Sequence, residues 1–184
     1  CALPILSVID EAARRVIRKK LEFRVDARES VSPDVVESAE HRALTREVAE
    51  RSFVLLKNEQ QALPLVAPAS LVVVGTLASQ TNLGDRGSSN SVPSSAVSPL
   101  AGIQARAGGI PVTHVPGSDM VGAPPLTTAE EAQVKAASAA VVVVGLTTMD
   151  EGERLGGDSG GGDRKTLSLS PQHEALILAV AKLN

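Results

Sequence analysis

The chain has 184 residues and a formal net charge of −3, with 43% hydrophobic and 21% charged residues, which is the composition of a globular domain. The chain has neither a positive net charge nor a long basic run, so its sequence does not support nucleic-acid binding. Its apolar runs are shorter than the roughly 20 residues that a membrane span needs. The single cysteine, Cys1, excludes an internal disulfide framework and a cysteine-based zinc site.

The amino-terminal part of the chain is predicted to be helical. Residues 7–22 repeat apolar side chains at helical spacing, and Ser7 and Asp10 give this helix a favourable amino end. Its opposite face is basic, and we interpret that face as a solvated surface or as a contact with another part of the protein. The basic residues are Arg14, Arg15, Arg18, Lys19 and Lys20. A second helix is predicted at residues 39–52.

Further along, the chain is predicted to hold three strands. The runs "LVVVG" at 71–75 and "AVVVVG" at 140–145 are typical of strands buried on both faces, whereas "PVTHV" at 111–115 predicts a weaker strand. Helices are expected between and after them, one of them with Thr128 and Glu131 at the spacing of a capping box. This alternation predicts an α/β fold with a mostly parallel sheet and flanking helices, preceded by helices and a linker.

Two long polar segments leave the carboxyl ends of predicted strands, which is where open parallel sheets bind ligands. They span residues 76–98 and 147–169, and the second runs into a helix predicted to begin at Ser170. We therefore expect both segments on the same side of the sheet, at the functional site.

The second polar segment contains the stretch "EGERLGGDSGGGDR" at 151–164. Three acids, Asp150, Glu151 and Glu153, fit a general acid, metal ligands or a solvated loop. An acid that works near neutral pH needs a pKa raised by burial or by a nearby negative charge. Phosphate binding is disfavoured, because neither a G-K-[ST] nor a G-x-G-x-x-G motif leads into a helix. The three histidines, His41, His114 and His173, are scattered along the chain and fit structural roles.

Four segments of the sequence resemble glycoside hydrolase family 3, the β-glucosidase-type enzymes. The most specific is "HRALTREVAERSFVLLKNEQQALPL" at 41–65, which resembles the segment that enters the carboxyl-terminal domain of that family. Residues 3–23 resemble the last helix of the family's barrel domain. Residues 82–108 resemble the loop and helix after the first strand of the second domain, and residues 141–184 the strand, acid-bearing loop and helix that follow. The chain is therefore expected to be a piece of a larger enzyme.

The resemblance implies a two-domain enzyme in which a (β/α)8-type barrel supplies a nucleophilic aspartate and an α/β sandwich domain supplies an acid/base glutamate. Hydrolysis would be retaining and would pass through a covalent glycosyl-enzyme, with the two carboxyl groups about 5–5.5 Å apart. Residues 1–26 would be the last barrel helix, residues 27–68 a linker and a helix that leads into the next domain, and residues 69–184 the first half of the sandwich domain.

The resemblance also implies site residues. Glu153, preceded by glycine, is the favoured acid/base, and Glu151 fits the spacing nearly as well. Two Asp-Arg pairs are expected to bind substrate or to order the loops; they are Asp85 with Arg86 and Asp163 with Arg164. No cofactor and no metal ion is expected.

The expected activity is hydrolysis of terminal β-linked sugars, with β-glucosides favoured, from oligosaccharides or glycosides. The partners would be that substrate and the barrel domain of the same protein, with neither nucleic acid nor a membrane. Because no "S-D-W"-like nucleophile motif occurs, the chain alone is expected to be inactive. The alternative is a non-catalytic carbohydrate-binding or interaction module, against which the aromatic content of 1% counts. A cytoplasmic location is favoured over secretion by a bacterium, since cysteine is so rare.

Overall fold

The computed structural model describes residues 3–25, 32–83, 91–147, 150 and 166–184. The chain divides into two compact units, Cys1–Val54 and Leu55–Asn184. Within the described ranges the first unit is helical, and the second combines helices with a sheet. No helix in these ranges combines the length and the apolar character that crossing a membrane requires.

The first unit contains helices α1 (Leu3–Glu22) and α2 (Ala39–Ser52). The predicted start of α1 at Ser7 was wrong, because the helix already includes Pro4. Proline is tolerated in a first helical turn, where the amide groups have no intrahelical acceptor to lose. The predicted bounds of α2 are confirmed, and the Ser38 side chain caps it by accepting a hydrogen bond from the backbone N–H of His41 at 3.2 Å.

The basic face of α1 forms ion pairs along the helix itself. Glu11 lies 2.7 Å from Arg14 and 3.4 Å from Arg15, and Lys19 lies 2.8 Å from Glu22. All of these side chains are exposed, so each pair contributes little to stability. The pairs are what a solvated helix surface is expected to form.

The second unit is an α/β unit built around a three-stranded parallel sheet, as the sequence predicts. The strand order is β2–β1–β3, and both neighbours of β1 run parallel to it. Its elements in chain order are β1 (Leu71–Val74), α3 (Pro99–Arg106), β2 (Val112–Val115), α4 (Thr128–Ala136), β3 (Ala139–Val142) and α5 (Pro171–Ala181). Short 3-10 turns precede and follow β1, at Glu59–Gln61 and Thr76–Ser79.

The hydrophobic core lies between one face of the sheet and helices α4 and α5. Val72 and Val74 of β1 point to this face, since alternate side chains of a strand share a side, and they are fully buried. They belong to one cluster with residues of the neighbouring elements, namely Val115, Leu126, Val134, Leu176 and Val180. The other two β1 residues, Leu71 and Val73, are buried as well, so the prediction of a strand buried on both faces is confirmed for β1.

The corresponding prediction for β3 was wrong in its bounds and in its burial. The strand spans Ala139–Val142 instead of 140–145, and all four residues are only half-buried. Among the described residues β3 pairs with β1 alone, so one of its edges carries no partner strand and its surface is less covered. After Val142 the backbone N–H of Val143 still donates to the Val74 carbonyl at 2.8 Å.

The capping box of α4 lies one residue earlier than predicted. Thr127 is the N-cap, and Glu130, not Glu131, is its reciprocal partner. Both pairs have the same spacing in the sequence. The choice between them follows from a contact outside the helix: Glu130 also accepts a hydrogen bond from the backbone N–H of Gly117 at 3.1 Å, which favours the earlier start.

Polar side chains fasten the ends of these elements. Ser138 donates to the Ser70 carbonyl at 2.6 Å and accepts from the Ser70 N–H at 2.8 Å, which joins the amino ends of β1 and β3. The Asn184 amide donates to the carbonyls of Val134 at 3.0 Å and Ala137 at 2.7 Å. It thereby binds the last carbonyls of α4, where the regular helical hydrogen bonds end.

Candidate functional site: the carboxyl edge of the sheet

The candidate site is the edge at which all three strands end. Because the strands are parallel, the segments that follow β1, β2 and β3 leave the sheet on one side, which is the ligand-binding side of such sheets. In the described residues this edge carries Thr76 after β1, Asp119 after β2 and His173 in the first turn of α5.

Asp119 brings these three segments together. Its Oδ2 accepts a short hydrogen bond from the Thr76 hydroxyl, and its Oδ1 lies 3.6 Å from Nε2 of His173. That second separation is longer than a hydrogen bond, so the contact is electrostatic in character. The Asp119 side chain is 45% exposed and that of His173 only 13%, so the cluster opens to solvent at the carboxylate.

The surroundings of His173 determine which ring nitrogen carries its proton. Nδ1 is buried and has no hydrogen-bond partner among the described residues, so a proton placed there would be a buried, unsatisfied donor. Nε2 lies 3.6 Å from the Asp119 carboxylate, so a proton on Nε2 faces a negative charge. We therefore expect the neutral ring to be the Nε2–H tautomer.

The turn after β1 is held tightly against its neighbours. Gly75 has a φ of +119°, and a Cβ at this position would collide with the backbone carbonyl of Val143. Its carbonyl lies 3.0 Å from Nε2 of His114, and its N–H donates to the Val115 carbonyl at 2.9 Å. His114 thus has the structural role that its scattered position in the sequence indicates.

The turn after β2 rests on helix α4. The N–H of Gly117 donates to Oε1 of Glu130, while Oε2 of Glu130 accepts from the Thr127 N–H at 2.7 Å and from the Thr127 hydroxyl at 2.8 Å. Burial raises the pKa of Glu130, but these three hydrogen bonds outweigh it and hold the pKa below its ordinary value. Glu130 is therefore an ionised anchor rather than a proton donor near neutral pH.

The chain that leaves β3 is fixed at its outset. The Asn82 amide donates to the Leu146 carbonyl at 2.8 Å. The Asp150 carboxylate accepts from the Thr147 N–H at 2.8 Å and from the Thr147 hydroxyl at 2.9 Å. Asp150, one of the three acids considered as a general acid or metal ligand, thus holds a local turn.

The site residues predicted from the sequence lie outside the described residues. These are Glu151, Glu153, Asp85, Arg86, Asp163 and Arg164, and their roles stay predictions. Within the described ranges, no group of three His, Cys, Asp or Glu side chains comes close enough to hold a metal ion. Asp119 was not singled out in the sequence, because a lone Ser-Asp after a weak strand carries no motif.

The sequence matches a family model, the glycosyl hydrolase family 3 C-terminal domain, over residues 53–184. It is 32% identical to a β-xylosidase/α-L-arabinofuranosidase of Medicago sativa subsp. varia, over 84% of this chain and 19% of that protein. It is 34% identical to a periplasmic β-glucosidase of Salmonella typhimurium, over 62% of this chain and 16% of that protein.

Solved structures give the same result. A β-glucosidase from Erythrobacter marinus superposes with a TM-score of 0.68 and 26% identity, over 82% of this chain and 23% of that structure. The corresponding values for a β-glucosidase from Bifidobacterium adolescentis are 0.60 and 30%, over 79% and 20%. The chain thus spans about a fifth of the length of these proteins.

Proposed function

Because the chain belongs to glycosyl hydrolase family 3, through the C-terminal domain of that family, we propose that it is part of a retaining β-glycosidase and contributes the acid/base loop. The observation that carries this proposal is the position of the acids. Glu151 and Glu153 fall within the matched region, between the end of β3 and the start of α5. That connection leaves the carboxyl edge, where parallel sheets present functional groups.

The proposed reaction divides the work between two carboxyl groups. A barrel domain of the same protein supplies an aspartate whose carboxylate attacks the anomeric carbon, while Glu153, or alternatively Glu151, gives its proton to the departing glycosidic oxygen. The same glutamate, now a carboxylate, then takes a proton from the water that attacks the anomeric carbon and releases the sugar from the aspartate. Both steps proceed without a cofactor or metal ion.

The proposed substrates are terminal β-glucosides, with β-xylosides as the alternative sugar. Relatives of both kinds support this range, since one carries the name β-glucosidase and another the name β-xylosidase. The chain alone holds at most one carboxylate of the pair, so the isolated 184-residue chain is expected to show no turnover. Binding of sugar without turnover by the complete protein would instead support the non-catalytic module.

The test compares two neighbouring substitutions in the complete polypeptide that contains this chain. Removing an acid/base carboxyl lowers kcat/KM, which reports formation of the glycosyl-enzyme, by about 10²–10⁴-fold on substrates with poor leaving groups. The loss is much smaller when the leaving group is an activated phenol, because such a group departs without a proton. We expect this pattern for Glu153→Gln, with Glu151→Gln as the matched control.

Azide provides a second readout. It attacks the glycosyl-enzyme without needing a base, so it restores turnover in the acid/base variant and yields a β-glycosyl azide. Rescue of Glu151→Gln alone would move the role to Glu151. If neither variant shows the leaving-group dependence or the rescue, the proposal that this loop carries the acid/base is wrong.

A further inference from the structure

Asp119 joins three segments that the chain brings to the carboxyl edge from distant positions. Thr76 is the first residue of the 3-10 turn after β1, and His173 lies in the first turn of α5, where the chain returns from the segment that carries Glu151 and Glu153. Asp119 contacts both, through one carboxylate oxygen each. Asp119 thus links the start of the first polar segment, at Thr76, to the helix that follows the second polar segment, at His173.

The turn that presents Asp119 is fixed from three sides. The N–H of Gly117 donates to the Glu130 carboxylate at 3.1 Å, and the N–H of Ser118 donates to the Pro125 carbonyl at 3.0 Å. A Cβ on Gly117 would meet the side chain of Leu176 and the carbonyl of Pro125, both at 3.0 Å, so the backbone here packs directly on α5. The Asp119 carboxylate is therefore held in place relative to α4 and α5, and so are the groups that it contacts.

We propose that Asp119 is a positioning residue for the glycosidase reaction. By holding Thr76 and His173 to one rigid turn, it fixes the place from which the acid-bearing segment re-enters α5. The inference rests on the proposed function, since it concerns the acid/base group assigned there. Asp119 itself does not donate the proton. It acts by fixing the positions of Thr76 and His173, which border the two polar segments.

Two substitutions at Asp119 separate this role from a loss of folding. In Asp119→Ala both contacts are lost, whereas Asp119→Asn keeps a polar group of the same shape that can still hydrogen-bond the Thr76 hydroxyl and removes only the charge that faces His173. Met120→Ala serves as the control for disturbing the turn, because the Met120 side chain is exposed. Each variant is made in the complete protein and assayed on aryl β-glucosides and β-xylosides with leaving groups of increasing pKa.

The expected result is a split between substrates. Because misplacement of a reacting group by about 1 Å costs up to about 100-fold, Asp119→Ala should lower kcat/KM by about 10- to 100-fold on the poorest leaving groups, with little loss of kcat/KM on activated phenols. Met120→Ala should keep kcat/KM near the wild-type value, and Asp119→Asn, which keeps the hydrogen bond to Thr76, should lose less than Asp119→Ala. In a double variant with Thr76→Val, the loss should not exceed that of Asp119→Ala alone, since both changes break one link.

The outcomes distinguish the two proposals. If the wild-type protein turns over and Asp119→Ala either retains activity or loses it equally on every leaving group, the inference is overturned while the proposed function stands. An equal loss in Met120→Ala would also overturn it, because the effect would then belong to the turn as a whole. If the wild-type protein hydrolyses no β-glycoside, the proposed function fails and the inference fails with it.

Discussion

Replacing Glu130 by Gln tests whether a carboxylate, rather than any polar side chain, joins α4 to the turn after β2. Oε2 of Glu130 accepts hydrogen bonds from the N–H and the hydroxyl of Thr127, and Oε1 accepts one from the N–H of Gly117. Gln has one acceptor oxygen, so one of these two sides must face an amide NH2 instead. A net hydrogen bond is worth about 0.5–1.5 kcal/mol and a capping interaction about 1 kcal/mol. For this half-buried group we expect a loss of about 1–2 kcal/mol in the free energy of unfolding.

The loss should depend on pH with a definite sign. The pKa of Glu130 in the folded chain lies below the ordinary value of 4.5. A carboxyl whose pKa is lowered by folding stabilises the folded state above its unfolded pKa, and this contribution disappears as the pH falls through the folded pKa. The difference between wild type and Glu130→Gln is therefore full at neutral pH and shrinks as the pH falls below the ordinary value.

Urea titrations followed by far-ultraviolet circular dichroism measure this difference, since the chain has no Trp or Tyr for fluorescence. Glu131→Gln is the matched control, because it removes the other carboxylate of the same helical turn. That change should cost only the weaker interaction with the helix dipole, about 0.3–1 kcal/mol or less. Equal losses in the two variants, or a Glu130→Gln difference that persists at acidic pH, would refute the reasoning.

Three further substitutions test packing and hydrogen bonding elsewhere in the second unit. Gly75→Ala should lower the free energy of unfolding by about 2–5 kcal/mol, because the alanine would have a strained φ and would collide with the Val143 carbonyl. The control is Gly109→Ala, where φ is +92° but the space is open, so only the strain should lower stability. Equal shifts of the two variants in thermal unfolding would refute the collision. Leu176→Ala, at a position 1% exposed, should cost about 2–5 kcal/mol in urea titrations, and a smaller loss would mean that the core is not closed there. Asn58→Ala removes two hydrogen bonds of 2.9 Å across one turn and should cost about 1–2 kcal/mol; an unchanged urea midpoint would contradict this.

The parallel sheet could be predicted because its signal is local. β1 is four consecutive buried aliphatic residues closed by a glycine, a run that is typical of a strand in a parallel sheet. The run at 140–145 carries the same signal but forms a shorter, half-buried strand, since burial depends on which neighbours a strand acquires and not on its own residues. The capping box moved by one residue for the same kind of reason. Two equivalent Thr-x-x-Glu pairs overlap, and the Gly117 N–H, distant in the chain, favours one.

In the candidate site, too, only the part with a local signal could be predicted from the sequence. A segment of acids and glycines after a strand is visible in the sequence, and the resemblance to family 3 added the acid/base role for Glu153 or Glu151. The cluster of Thr76, Asp119 and His173 could not be predicted, because its members are separated by whole elements, and each alone is an ordinary loop or helix residue. Only the strand order, with β1 between β2 and β3, brings their segments to one edge. A residue that positions a catalytic group needs neither a motif nor a perturbed pKa, since it needs only to be held by the fold at the place where the segments meet.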